Sequence, residues 1–433
     1  MLKLLQSLAG LVLLTFSREA SAFLRFPCSQ LVTERFDPLV TPGEVSPHLH
    51  QIVGGNAFNL TMDPANDLGD LSTCTTCRFV EDKSNYWTAV MYFKHSNGSY
   101  LRVPQMPNHN SGPGLQDGGM TIYYFQPTYE GDNVTFVSFP KGFRMRVGSP
   151  MRRTEDDIDP NDATTLHALT FRCFNGTDGG SGGATTGFGP EDSFEFPNRT
   201  CSGGIRSNIY FPQCWDGINL DSEDHMNHVS HPIGNFFDAP CPASHPIHVP
   251  FIFMEIVWDT RPFNEPPFWP ADGSQPFVLS NGDPTGFGQH ADYMFGWEGD
   301  SLHRAMDSCD NFDGIPTKCT ALTVQDTDSM NRCKKGVQVI EVTEKQYIEK
   351  LPGCNPVQSG PDYATDIHNC DAPSTTVAEQ VPTTSPELVV PPWPVCNPSP
   401  VSTFAAPFCD SIPQTTSASG TQPTIAPAII TTI

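Results

Sequence analysis

Phe251-Ile252-Phe253-Met254-Glu255-Ile256-Val257-Trp258 is apolar at every position but one. Such a run suits a central strand buried on both faces. Around it lie shorter segments in which apolar and polar residues alternate. Phe143-Arg144-Met145-Arg146-Val147 puts three apolar side chains on one face and two arginines on the other. Residues 87–93, 121–126, 134–138 and 169–173 keep the same period of two, each bounded by Gly, Pro, Asp or Asn. Helical stretches are few, and residues 300–307 and 343–350 are the candidates. Many short strands joined by turn-rich connections predict a mainly β fold. The expected form is an antiparallel β-sandwich or jelly-roll-like core with long disulfide-bonded loops.

The composition agrees. Of 433 residues only 17% are charged, while 35 are Gly and 42 are Pro, which argues against a helical bundle or coiled coil. The net charge of −24 argues against nucleic acid as a partner, since phosphate binding needs clustered Lys and Arg. With 29 Phe, 10 Tyr and 6 Trp there is ample material for a large core.

Residues 1–22 read as an export signal: Lys3, an apolar run containing Leu11-Val12-Leu13-Leu14, then Ala20-Ser21-Ala22 before Phe23. The run is too short to span a bilayer, and no later stretch approaches about 20 apolar residues. Asn59, Asn97, Asn133, Asn175 and Asn198 each begin a glycosylation triplet. Fourteen cysteines allow up to seven bridges in an oxidising compartment. Cys74-Thr75-Thr76-Cys77 has redox spacing but follows an Asp/Gly/Ser-rich loop, so these two read as structural disulfide partners. The protein is expected to be secreted and extracellular.

Four segments follow: the signal at 1–22, a β-rich core at 23–310, a cysteine-containing extension of the core at 311–370, and a tail at 371–433. The tail holds 12 Pro and 18 Ser or Thr and no Lys or Arg, a composition that cannot bury enough apolar surface to order itself. Cys396 and Cys409 are expected to close a small loop within it. The apolar content after Ser417 is too poor for a lipid-anchor signal.

Histidine placement is the most informative feature for function. His48-Leu49-His50 projects two imidazoles from one face of a strand. His225, His228 and His231 recur at intervals of three beside Asp216, Asp221 and Asp224, and His245, His248 and His290 sit in two further turn-rich windows. A His-x-His pair with a carboxylate can form the first shell of a divalent metal, with His48, His50, His225 and His290 as candidates. Loop-anchoring hydrogen bonds are the alternative. Asn281-Gly282-Asp283-Pro284-Thr285-Gly286-Phe287-Gly288 looks like a tight turn presenting His290.

Carboxylates form the second candidate set. Glu255 and Asp259 share a strand face, but about 13 Å separates positions four residues apart, so a catalytic pair would combine one of them with Asp292 or Asp224. Glu255, in the most apolar surroundings, would suit a general acid. His225 and His290 would transfer protons. His48, His50, Trp215, His245 and Trp297 would contact substrate. No nucleophile elbow, phosphate-binding glycine loop or paired zinc-finger spacing is visible. A copper monooxygenase for polysaccharides needs an N-terminal histidine, and the expected mature chain starts at Phe23.

Phe36-Asp37-Pro38-Leu39-Val40 leading to Ser46-Pro47-His48-Leu49-His50-Gln51-Ile52-Val53-Gly54-Gly55-Asn56-Ala57-Phe58 resembles the opening signature of a fungal secreted family, Domain of Unknown Function nineteen-ninety-six. Arg206-Ser207-Asn208-Ile209-Tyr210-Phe211-Pro212-Gln213-Cys214-Trp215-Asp216-Gly217 with Asp224-His225 resembles its middle signature, and Cys241 to His245, Glu255 to Asp259 and Gly282 to Trp297 its last. The resemblance implies fungal origin and association with the cell wall; it names no reaction.

Three readings stand. The first is a hydrolase of cell-wall polysaccharide with carboxylate acid/base chemistry and no cofactor. The second is a noncatalytic wall or glycan-binding protein. The third is a metal-dependent hydrolase in which histidines hold the ion that activates water. Oligomeric state and disulfide connectivity are not set by the sequence.

Overall fold

A computed structural model of the protein describes residues 23–107, 115, 117–126, 134–156, 165, 167–174, 192–234, 236, 239–311, 314–353 and 355–365. The chain divides into two units, residues 1–395 and 396–433, and every described residue lies in the first. The export signal, Asn133, Asn175, Cys396 and Cys409 fall outside the described residues.

Ten strands build two main sheets: β1 (Phe23–Cys28), β2 (Val32–Glu34), β3 (His50–Gly54), β4 (Asn85–Ala89), β5 (Met120–Phe125), β6 (Arg144–Gly148), β7 (Leu169–Cys173), β8 (Ile205–Tyr210), β9 (Phe251–Trp258) and β10 (His290–Met294). The first sheet runs β1-β5-β9-β8-β7, with Asp192–Ser193 beyond β7 and Gln105–Met106 also paired to β9. The second runs β2-β3-β4-β10-β6. All their pairings are antiparallel, so the sandwich is as expected. The apolar run of β9 sits between β5 and β8, buried at all eight positions.

Register shows which way each side chain points, because directly paired residues share a face and neighbours alternate. Tyr124 of β5 meets Tyr86 of β4 at 2.7 Å and Tyr293 of β10 at 3.0 Å, so these three fill the gap between the sheets. Tyr123, paired with Phe253, therefore points away from the second sheet, and Glu255 does the same. On the second sheet Ile52, Trp87, Asp292 and Arg146 form one row facing away from the first sheet. His50 and His290 lie two residues along the same face. That outer face is not open to solvent. Leu31, Phe36, Leu39, Phe58, Met62 and Leu68 pack on Ile52, Trp87 and Met294 as a second, smaller core.

The tyrosine network between the sheets ends on Asp82, which accepts from Tyr86 Oη at 2.9 Å. Burial pushes the Asp82 carboxyl up to about 7. Its folded pKa exceeds the unfolded value, so ionisation costs stability as pH rises from about 4 to 7, by roughly 4 kcal/mol at most. Asp82→Asn removes that cost. The stability of the variant relative to wild type is expected to climb between pH 4 and 7 and then level off; parallel urea-unfolding curves across that range would contradict it.

Three local expectations need correction. Residues 134–138 form no strand; Phe136 makes a single parallel bridge to His248. Residues 343–350 form no helix, because Ile348 bridges to Tyr100 and holds the chain extended there. Cys74 and Cys77 are not each other's partners: Cys74 bonds Cys333 and Cys77 bonds Cys28. Cys173–Cys201, Cys214–Cys241 and Cys309–Cys319 complete five bridges among the described residues. The first helix candidate is present as Ser301–Ser308. Asn59, Asn97 and Asn198 are exposed. Among the described residues no helix is long and apolar enough to cross a membrane.

Candidate metal centre

His48, at the approach to β3, His50 at its start and His290 at the start of β10 converge on the covered outer face of the second sheet. Ring centroids lie 4.2 Å (His48–His50), 5.0 Å (His48–His290) and 5.8 Å (His50–His290) apart. One nitrogen from each lies within 4.8 Å of the others. His48 Nε2 and His290 Nε2 are 3.0 Å apart. Two nitrogens on a tetrahedral zinc stand roughly 3.3 Å apart, so this spacing is already close to that of a shared ion.

The sequence around each ring explains its orientation. Asp283 accepts from the backbone N–H of Thr285, Gly286 and Gly288, which folds the 281–288 turn expected to present His290. A Cβ on Gly288 would come within 2.9 Å of Asp283 Oδ2, so a larger residue does not fit there. Gly288 O then accepts from His290 Nδ1 at 2.9 Å. A carbonyl can only accept, so the proton of the neutral ring sits on Nδ1 and Nε2 offers a bare lone pair to His48. Ser280 Oγ donates to Leu49 O at 2.6 Å, tying the same turn to the His-x-His segment.

Burial sets the charge. Desolvation holds His48 and His50 well below the usual histidine range, and the neighbouring imidazoles push the same way. Desolvation, with Arg146 and Arg153 nearby, brings His290 down to about 4. Three neutral imidazoles are thus prepared as ligands rather than as cations. The Phe36 carbonyl is near enough to favour a proton on His50 slightly, yet neither ring nitrogen completes a hydrogen bond.

A second group adjoins the first and shares His50: Asp37, His50 and Asp292 bring one ligand atom each within 4.8 Å of one another. Asp37 accepts from the backbone N–H of Leu39 and Val40. Asp292 is fully buried and neither carboxylate oxygen has a partner. Desolvation and then the nearby Asp37 hold its carboxyl well above the usual range, with Arg146 opposing.

The other expected site residues lie elsewhere. Glu255 accepts from Tyr123 Oη at 2.7 Å and lies 3.6 Å from Arg206. It faces outward from the first sheet, whereas Asp292 faces outward from the second. The expected Glu255–Asp292 pairing on one substrate bond is corrected accordingly, since both layers of the sandwich separate them. Asp259 is clamped by two bonds from Arg261, at 2.6 and 2.7 Å. Trp297 is buried against Phe26, Phe79 and Tyr124 and has no surface for substrate. Trp215 donates to Asn219 O.

Of the four histidine windows, two meet ring to ring. The 221–228 loop joins them only through the edge of β6, where His225 O accepts from Arg146 N and His228 Nε2 donates to Arg144 O. His225 Nδ1 pairs with Asp221 at 2.6 Å, Asp224 accepts from Met226 and Asn227, and His245 Nε2 donates to Asn227 O. These groups tie one loop together, so His225 is not a ligand alongside His48, His50 and His290. Asp37 and Arg146 were not singled out as site residues from sequence. The pairing of Asp37 with a following proline, just before the His-x-His segment, was the available signal.

Residues 37–297 match the profile of a family described as Domain of unknown function (DUF1996). No curated protein and no solved structure matches the chain.

Proposed function

The chain belongs to the DUF1996 family, whose name carries no activity, and from the geometry of its site we propose a secreted metalloprotein that uses a three-histidine centre for hydrolysis. The observation that carries this reading is the convergence of His48, His50 and His290 as buried, neutral imidazoles, one of them with its lone pair directed by a backbone carbonyl. Three neutral nitrogen donors leave an ion's charge uncompensated and a coordination position open, the arrangement that makes bound water acidic enough to attack at neutral pH. Cell-wall polysaccharide is the substrate class proposed, following the resemblance, and five disulfides agree with an oxidising extracellular setting. Carboxylate acid/base catalysis at Glu255 and Asp259 is the weaker reading, because both groups already have cationic partners.

A second reading is favoured by burial. His48, His50 and His290 are 5%, 0% and 2% exposed, which suits a structural ion in a noncatalytic wall protein.

Protein purified from zinc-containing medium is expected to carry metal, and His290→Ala to lose at least a hundredfold in zinc affinity. Metal-free wild type from such medium would end both metal readings. Hydrolysis of a polysaccharide or its ester substituents that is lost on chelation and restored by zinc supports the catalytic reading. A stability change without any activity supports the structural one.

A further inference from the structure

We infer that a second divalent cation binds beside the first, held by Asp37, His50 and Asp292, with His50 bridging the two ions. The inference rests on the proposed three-histidine centre and extends it. Its starting point is a count of unsatisfied atoms. Both ring nitrogens of His50 and both carboxylate oxygens of Asp292 are buried without a partner, and both residues are 0% exposed. Buried polar atoms are nearly always bonded, so four orphans on two adjacent side chains call for a common cause.

One ion at the three histidines satisfies one nitrogen of His50 and nothing else. A hydrogen bond from the other nitrogen to Asp292 would still leave a carboxylate oxygen orphaned. Arg146, paired with Asp292 in the β6–β10 register, does not engage it: the two carboxylate oxygens are free, and Arg146 Nε is itself without a partner. A cation placed between Asp37, His50 and Asp292 answers the count. It takes the second nitrogen of His50 and oxygens from both carboxylates, and it compensates two like charges held close together in a dry place. Asp37, His50 and Asp292 each bring one ligand atom within 4.8 Å of the other two. The mixed oxygen and nitrogen set is the kind taken by zinc or manganese. His50 releases its ring proton to solvent when both nitrogens bind metal. The two positions differ in character, one all-nitrogen and one mainly oxygen, so two different metals could be accommodated side by side.

The test uses the full chain, stripped of metal and titrated with Zn²⁺, with bound zinc counted by elemental analysis. Two ions per chain in wild type and one in both Asp292→Asn and His290→Ala are expected. One ion in wild type, unchanged in Asp292→Asn, overturns the second site and leaves the three-histidine centre standing. No ion in wild type overturns both. Because a variant at a buried position can fail to fold, a wild-type measurement decides independently. Loading with Cu²⁺ should give the electron paramagnetic resonance of a magnetically coupled pair. The spectrum of an isolated Cu²⁺ ion at full loading would overturn the bridge.

Discussion

Stripping metal from the protein is expected to lower its melting temperature by roughly 8 °C, and added Zn²⁺ to restore it. An ion that binds only the folded state stabilises by about 4 kcal/mol when its free concentration is a thousand times the dissociation constant. For a domain of this size each kcal/mol is worth roughly 2 °C. The structure supplies the reason for so large a dependence. Without an ion, His48 and His290 share at most one hydrogen bond and both nitrogens of His50 are orphaned in a dry layer between the second sheet and the segment that covers it. His290→Ala is expected to gain less in melting temperature from zinc than wild type does. A wild-type melting temperature indifferent to chelator and to zinc would contradict the centre.

Arg206→Ala is expected to be the most damaging single change away from the metal centre, at about 3–5 kcal/mol, because it removes the cation that faces the buried Glu255 carboxylate. The side chains of Arg206 and Glu255 are 6% and 1% exposed, and the guanidinium also bonds Asn208 at 2.6 Å and lies over the Phe174 ring. Glu255→Gln keeps an acceptor for Tyr123 and removes only the charge, so about 1–2 kcal/mol is expected. Neither variant should change zinc content, because Glu255 projects from the opposite outer face of the sandwich. Urea unfolding gives the energies and elemental analysis the metal. A Glu255→Gln protein with wild-type stability but altered zinc content would reverse this assignment of roles.

Much of this was legible in the chain, and the parts that were not share one cause. The unbroken apolarity of residues 251–258 identified the central strand, and the alternation of residues 143–147 identified β6, with Met145 and Val147 inward. Alternation says which side chains share a face; it does not say what covers that face. Arg144 and Arg146 were legible as one face of β6, but not that residues 36–68 fold over that face and make it the floor of the candidate centre. The same blindness hid the partners of Glu255: its apolar neighbours were visible, but Tyr123 and Arg206 come from other strands 132 and 49 positions away. His48, His50 and His290 were recognisable because two of them are nearly adjacent and the third follows a turn rich in Gly and Asp. Asp37 was hidden because its role exists only once the covering segment is in place.

The Cys74–Cys333 bond also gives the chain an order of assembly. Cys28 and Cys77 are 49 positions apart and emerge early during synthesis, while Cys74 must wait for a partner 259 positions downstream. Until then a thiol sits three residues from Cys77, free to form the short-range bond the finished protein does not contain. A chain synthesised from its N-terminus is exposed to that error at every round, and only thiol–disulfide exchange can undo it. Oxidative folding of this protein is therefore expected to depend on a disulfide isomerase, and a Cys333→Ser chain to accumulate with Cys74 trapped against Cys77 or Cys28.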